Sequence, residues 1–201
     1  QRTNYFYKPT GELKQISDAL SNLAFFSYDT LGRRVAMNDP DLGSWEYTYD
    51  RVGNTISRTD ARGISISYTY DPLNRKLRVD YPNDADIIYQ YDQDMIGTLS
   101  RVNDAGGEVS FVYDQRLTKT QETRVIDGIS WSTSWSYDAM DRITSITYPD
   151  GEKVQFEYNS QGELEQIPGI VNSLDYNAAG QTIAKTYANG KTTIYTYDPA
   201  N

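Results

Sequence analysis

Apolar and polar positions along this chain return in a fixed order. FSYDTLGRRV (residues 26–35) reappears as YTYDRVGNTI (47–56) and YTYDPLNRKL (68–77), 21 residues apart each time. With the second large residue of each pair as anchor, the series runs Tyr7, Tyr28, Tyr49, Tyr70, Tyr91, Tyr113, Tyr137, Tyr158, Tyr176 and Tyr197; the spacings are 21, 21, 21, 21, 22, 24, 21, 18 and 21. Two positions before each anchor stands Tyr5, Phe26, Tyr47, Tyr68, Tyr89, Phe111, Trp135, Phe156, Leu174 or Tyr195. Self-similarity at a fixed period marks a repeat architecture, in which each unit buries its apolar face only against its neighbours.

Apolar residues at i and i+2 have period two, so both rings of each pair lie on one face of a β-strand. In SWEYTYD, Trp45, Tyr47 and Tyr49 face one side, and Ser44, Glu46 and Thr48 the other. Asp or Asn follows nearly every anchor: Asp29, Asp50, Asp71, Asp92, Asp114, Asp138 and Asp198 are examples. Three positions after it stands Gly or Asn in Gly32, Gly53, Asn74, Gly162 and Gly180, with Leu117 as an exception. An Asp or Asn at the first corner bonds the backbone two residues on, and Gly or Asn accepts the left-handed conformation that closes the loop. Pro9, Pro72 and Pro199 occupy the second corner, which tolerates proline.

Half a period later come further turns, as NDPDLG (38–43), DARG (60–63), DAGG (104–107), YPDG (148–151) and YANG (187–190). All 14 Gly and all 7 Pro fall in one or other turn, so each repeat reads as strand, turn, strand, turn. Several outgoing strands place apolar residues three apart, as Leu13/Ile16, Leu99/Val102, Ile143/Ile146 and Leu164/Ile167, which predicts an extra residue, a β-bulge, after the turn. Leu77, Val79 and Tyr81 alternate normally, so the bulge is not expected everywhere. One window, ELKQISDALSNLAFF, has a nearly helical spacing, but SDALSN falls where other repeats turn, and strands are expected there too.

The pattern predicts an all-β fold of roughly 18 to 20 strands, a continuous, curved antiparallel strip of hairpins, since flat sheets beyond about ten strands curl, split or close. Residues 1–201 read as one array of nine to ten repeats, cut at both ends. A β-propeller would pair repeats into blades of about 42 residues, but odd and even repeats look alike here. Choline- or glucan-type hairpin repeats would call for periodic Trp, and Trp45, Trp131 and Trp135 are not periodic.

Composition narrows the chemistry. Cysteine and histidine are both absent, which removes thiol nucleophiles, Ser-His-Asp triads, disulfides and the usual zinc ligands. The net charge of -9 argues against nucleic acid or an anionic membrane surface as partner, and no run of about 18 apolar residues marks a membrane span. The carboxylates recur at one phase, so whatever explains one explains all; turn formation does, whereas a glycosidase needs two unlike carboxylates facing one cleft. Asp39/Asp41, Asp84/Asp86 and Asp92/Asp94 make oxygen-rich loops but match no calcium motif. No catalytic, cofactor-binding or metal residue stands out. The tyrosines read as rings stacked between successive repeats rather than as a sugar platform.

Tyr-x-Tyr-Asp-x-x-Gly-Arg at a period near 21 resembles the YD repeat of RHS proteins. It is sharpest in FSYDTLGRRV and YTYDPLNRKL and weaker at FVYDQRLTKT and YQYDQDMIGTL. LDYNAAGQTIAKTYANGKTTIYTYD also resembles these proteins, including the C components of bacterial ABC toxins. The resemblance implies a β-strip that spirals into a hollow shell around a C-terminal toxin, in a secreted or cell-surface bacterial protein. The partners it implies are the rest of that shell and the enclosed polypeptide. The DPxG block and autoproteolytic Asp residues of an RHS core have no match here, so the segment is expected to be non-enzymatic wall. Surface glycans are the partner on the alternative reading, an adhesion module. Open strip edges predict self-association.

Overall fold

The computed structural model describes residues 2–198, all strands and turns. The first strands are β1 (Asn4–Tyr7), β2 (Leu13–Ser17), β3 (Leu23–Tyr28), β4 (Arg34–Asp39), β5 (Gly43–Tyr49), β6 (Thr55–Thr59) and β7 (Ser65–Tyr70). Next come β8 (Lys76–Asp80), β9 (Ile87–Tyr91), β10 (Leu99–Asp104), β11 (Gly107–Tyr113), β12 (Lys119–Ile126), β13 (Ile129–Tyr137) and β14 (Ile143–Thr147). The rest are β15 (Lys153–Gln155), β16 (Glu157–Tyr158), β17 (Leu164–Gln166), β18 (Val171–Tyr176), β19 (Thr182–Tyr187) and β20 (Thr192–Ile194).

Strands β1 to β15 form one open antiparallel sheet in chain order; β16–β17 and β18–β19–β20 form two smaller ones. A 15-strand run in sequential order is not the set of four-stranded blades a propeller needs. The chain divides into two compact units, Gln1–Gln90 with Arg101–Gly107, and Tyr91–Ser100 with Glu108–Asn201.

The window of nearly helical spacing is two strands, β2 and β3, joined by a turn. Asp18 makes that turn: its carboxylate accepts from the N–H groups of Leu20 and Asn22 at 2.8 Å each. Alternation holds in β5, where Trp45, Tyr47 and Tyr49 are half-buried and Ser44, Glu46 and Thr48 are exposed.

The bulge is more general than the sequence suggested. Tyr7 pairs Leu13 while Phe6 pairs Gln15, leaving Lys14 without a partner. The same step skips Val35, Ile56, Leu77, Thr120, Thr144, Glu165 and Ile183. Leu77 thus corrects the expectation of a regular strand there. It is the unpaired residue of the step between Thr69↔Arg78 and Tyr70↔Lys76, and it is exposed. The rule for glycine also needs correction, since Gly43 and Gly107 are the first residues of strands β5 and β11. Pro199 lies outside the described residues.

Apolar burial is thin. Among the described residues the buried apolar ones are Ala24, Val79 and Val171, and no large side chain is fully enclosed. The chain exposes 13600 Å². A compact monomer of this mass would expose about 9,600 Å², and two separate compact bodies of half the mass about 11,600 Å². Much sheet surface is therefore uncovered, and polar links carry an unusual share of the cohesion.

Candidate functional site: the repeat turn and the tyrosine tie

The unit that recurs is a three-residue hairpin loop closed by its own first residue. The Asp29 N–H donates to Arg33 O at 2.9 Å, and the Gly32 N–H donates back to Asp29 O at 3.1 Å. Asp29 Oδ1 accepts from the N–H groups of Leu31 and Arg33, each at 2.9 Å. The fourth position is left-handed, with φ of +77° at Gly32, +62° at Asn74, +62° at Leu117 and +60° at Asp141. A type I turn followed by one left-handed residue is the standard three-residue β-hairpin connection. The half-period turn at Asp60 is the same device, with Gly63 N–H on Asp60 O and Ile64 N–H on Asp60 Oδ1.

The corner residue and the residue four positions on are matched as acceptor and donor. Asp29, Asp71 and Asp138 each hold an arginine Nε at 2.7 Å, from Arg33, Arg75 and Arg142. Asp50 and Asp18 take the amide nitrogens of Asn54 and Asn22. Where the corner is Asn, the polarity reverses: Asn159 Nδ2 donates to Glu163 at 2.9 Å, and Asn177 Nδ2 to Gln181 at 2.8 Å. An amide supplies donors that a carboxylate lacks, so the fifth position must change with it.

These bonds hold the corner carboxyls below the usual carboxylate range. For Asp29 the first cause is the Arg33 N–H, and for Asp114 the Thr118 N–H; both act against a smaller effect of burial. At Asp71, burial pushes upward and is outweighed by the backbone and side chain of Arg75.

The anchor tyrosines link each repeat to the one before it. Tyr49 donates its phenol O–H to Arg34 O at 2.7 Å, and Tyr70 donates to Thr55 O at 2.9 Å. Tyr113, Tyr137, Tyr158, Tyr176 and Tyr197 do the same to Leu99, Lys119, Ile143, Leu164 and Thr182. For Tyr49, Tyr70, Tyr137, Tyr158, Tyr176 and Tyr197, the accepting carbonyl belongs to the residue paired with the preceding anchor, immediately before the unpaired one. A bulge interrupts the ladder there, and the next tyrosine donates at that point.

Arginine at the fifth position adds a second link. Arg33 lies over the Tyr49 ring, 4.8 Å from its centroid, and its Nη1 donates to Asp50 O at 2.9 Å. Arg142 repeats the stacking on Tyr158 at 4.5 Å. Lys8 takes the place over Tyr28 at 4.8 Å. The sequence suggested stacked rings as the tie; phenol on carbonyl and cation on ring form a more specific one.

The remaining sequence-predicted positions fall on the same frame. Tyr91 ends β9, and Asp92 accepts from the Gly97 N–H at 2.7 Å across a longer loop that absorbs the extra residues of YQYDQDMIGTL. Gly53, Gly162 and Gly180 hold the left-handed corner, and Asp198 follows Tyr197. The acidic loops are turn-formers too: Asp39 accepts from Asp41 and Leu42, Asp84 from Ala85, and Asp86 from Tyr81 as well as pairing with Arg78. Among the described residues no three His, Cys, Asp or Glu side chains gather to hold a metal.

The RHS Repeat family model matches residues 49–86, 120–153 and 176–201. The chain carries RHS repeats. No curated protein matches the chain. Among solved structures, a crystal structure of TcdB2-TccC3 is similar over 98% of this chain and 12% of that one, at 20% identity and TM-score 0.84. The Tc holotoxin pore of Photorhabdus luminescens is similar at 19% identity and TM-score 0.83, and TcdB2-TccC3 without its hypervariable C-terminal region at 19% and 0.82, each over 98% of this chain and 12% of the other. At these identities the likeness is one of fold, and the chain spans about an eighth of those proteins. The RHS-repeat array is thus an open antiparallel sheet of hairpins like a segment of those structures.

Proposed function

We propose that this RHS-repeat segment is non-enzymatic wall: part of a β-shell, in a secreted toxin-type protein, that encloses a C-terminal polypeptide. The observation that carries the reading is the tyrosine tie, made by seven anchors in one form, Tyr49, Tyr70, Tyr113, Tyr137, Tyr158, Tyr176 and Tyr197. A device that links each unit to the last by the same bond builds length, and the corner carboxylates Asp29, Asp50, Asp71, Asp114 and Asp138 are engaged in turns. The roles proposed for Tyr28, Asp29, Gly32 and their counterparts are accordingly structural, and residues 1–201 form one array. The uncovered sheet surface fits a segment whose neighbours lie elsewhere in a longer chain.

The test is limited proteolysis of the full-length protein. The C-terminal segment should resist protease while the repeats are folded and become sensitive once they are opened by denaturant or by deleting residues 1–201. Equal cleavage rates in both states refute enclosure. The exposed first strand, with Tyr5 at 55%, Phe6 at 47% and Tyr7 at 61% exposure, is an unpaired edge that should drive self-association of the isolated segment. Light scattering should show mass rising with concentration and Phe6→Lys suppressing it; a monomer throughout refutes this.

A second reading, glycan adhesion, has one observation in its favour. A cleft of about 330 Å³ is lined by the exposed Trp131 with Tyr148, Pro149, Asp150 and Glu152, a combination of aromatic and carboxylate groups suited to a sugar. A glycan array with the isolated segment, repeated with Trp131→Ala, decides: binding lost in the variant supports adhesion, and no binding removes it.

A further inference from the structure

Within the first unit, the aromatic face carries a charge pattern that a wall alone does not use. Cross-strand partners share a face, so the registers trace it from β3 to β8: Phe26 with Met37, Tyr28 with Arg34, Trp45 with Met37, Tyr47 with Arg58, Ile66 with Arg58, and Tyr70 with Lys76. The charged residues in this series are Arg34, Arg58 and Lys76, all cations, in a chain of net charge -9. Asp39, at the end of β4, turns its carboxylate back to the N–H groups of its own turn.

Among the described residues none of these three cations forms an ion pair. Each lies over a ring instead: Arg34 over Tyr47 at 4.8 Å, Arg58 over Trp45 at 5.3 Å and Lys76 over Tyr68 at 4.8 Å. A ring quadrupole attracts a cation but does not neutralise it. Arg58 and Lys76 are half-buried and open, with Tyr47, Thr55, Tyr68 and Tyr70, into one cleft of about 260 Å³. A half-buried positive charge without a counter-charge costs desolvation, and an incoming anion offsets it.

We infer that the cleft between Tyr47 and Lys76 is a docking site for a polypeptide segment whose carboxylates alternate with apolar side chains. The carboxylates meet Arg58 and Lys76; the apolar side chains lie on Met37 and Ile66, half-buried residues that flank the cations on the same face. A long polyanion such as a nucleic acid or sulfated glycan fits less well, because its many charges meet the repulsion of an acidic chain. The inference concerns this chain alone and stands whether or not the segment belongs to a shell.

The test uses fluorescence anisotropy with a labelled ten-residue peptide of alternating glutamate and valine, and the same peptide with lysine for glutamate. The glutamate peptide should bind, weaken with added salt, and lose about tenfold or more in affinity in the Arg58→Met/Lys76→Met variant, which keeps the stems but removes both charged donors. Arg58→Lys/Lys76→Arg should keep binding, and Arg58→Gln alone serves if the methionine pair does not fold. Equal binding of the lysine peptide, or unchanged affinity in the charge-removed variants, overturns the inference. So does a heparin fragment that binds more tightly than the peptide and is lost in the same variants, since it assigns the cleft to a sulfated glycan.

Discussion

Gly43 allows the packing of successive turns to be measured separately from backbone conformation. It opens β5 with φ at +71°, and a Cβ built there would stand 2.5 Å from the Cβ of Ala61, in the turn after β6. Gly63 provides the control, with φ at +77° and nothing within 4 Å of a Cβ. Gly63→Ala therefore changes conformation alone. The left-handed region costs an L-residue about 1–2 kcal/mol; roughly 0.5–1 kcal/mol returns because alanine narrows the unfolded ensemble. The net is a destabilisation of about 1 kcal/mol. Gly43→Ala bears the same term and an overlap between two carbons that cannot rotate aside, so the backbone must shift, at a further cost of about 1–3 kcal/mol. Ala61→Gly removes the opposing carbon and leaves Ala61 Cα at 3.8 Å, ordinary contact. The Gly43→Ala/Ala61→Gly pair should then shed the overlap cost and stand within about 0.5–1 kcal/mol of Gly63→Ala, the difference being the unfolded-chain freedom that glycine at position 61 adds. Urea unfolding followed by the fluorescence of the three Trp residues reads all four proteins. If Gly43→Ala is no worse than Gly63→Ala, or Ala61→Gly recovers nothing, the turns do not pack as described.

Three further outcomes follow from the turn and the tie. The depressed corner carboxyls at Asp29, Asp71 and Asp114 add stability that is complete above the unfolded value near pH 4 and lost as pH falls through the lower folded values; melting curves from pH 7 to pH 2 should drop below about pH 4, and less steeply in Asp29→Asn/Asp71→Asn. Tyr70→Phe removes one phenol bond to Thr55 O and should cost about 0.5–1.5 kcal/mol in urea titrations; no change would show that water serves the carbonyl equally well. Asn159→Asp sets a carboxylate against Glu163 and should destabilise, while Asn159→Asp/Glu163→Arg recreates the Asp29–Arg33 arrangement and should restore the melting temperature; equal losses in both would refute the donor–acceptor match.

What could be read in the letters was what a residue does to its own neighbourhood. Asp29 or Asp50 bonds the backbone within four residues, so the turns were visible, and so was the strand alternation of SWEYTYD. Leu77 misled because a leucine that points outward as the unpaired residue of a bulge looks, beside Val79, like ordinary alternation. Asp127–Gly128 closes β12 onto β13 with φ at +50° and +77°, and its signal, an Asp-Gly pair between apolar strands, was present but hidden by the longer 24-residue interval. The exchange of Asp–Arg for Asn–Glu was legible too, once the two positions are considered together. The tyrosine tie was not. Its acceptor is a backbone carbonyl, the same in every residue, and only the register shift shows why that carbonyl is available.

The tie also explains how an array can be long without a deep core. With Ala24, Val79 and Val171 as the buried apolar residues among those described, the chain cannot rely on one apolar interior. Hairpins are held by ladders to their neighbours, by a phenol on the preceding bulge and, at Arg33 and Arg142, by a cation on the following ring as well, so cohesion grows with each repeat as a nearest-neighbour sum. Insertions such as the long loop at Asp92 or the lengthened β12 and β13 change one unit and leave the links on either side, Tyr113 to Leu99 and Tyr137 to Lys119, in place. In the isolated segment the same logic makes the first hairpin the weakest, because there Tyr5 and Tyr7 lack a preceding repeat to tie to and are more than half exposed. Amide exchange should therefore run fastest in β1 and β2 and slow toward the interior strands β5 to β7; uniform protection along the first unit would mean that a shared core, and not the tie, holds the repeats together.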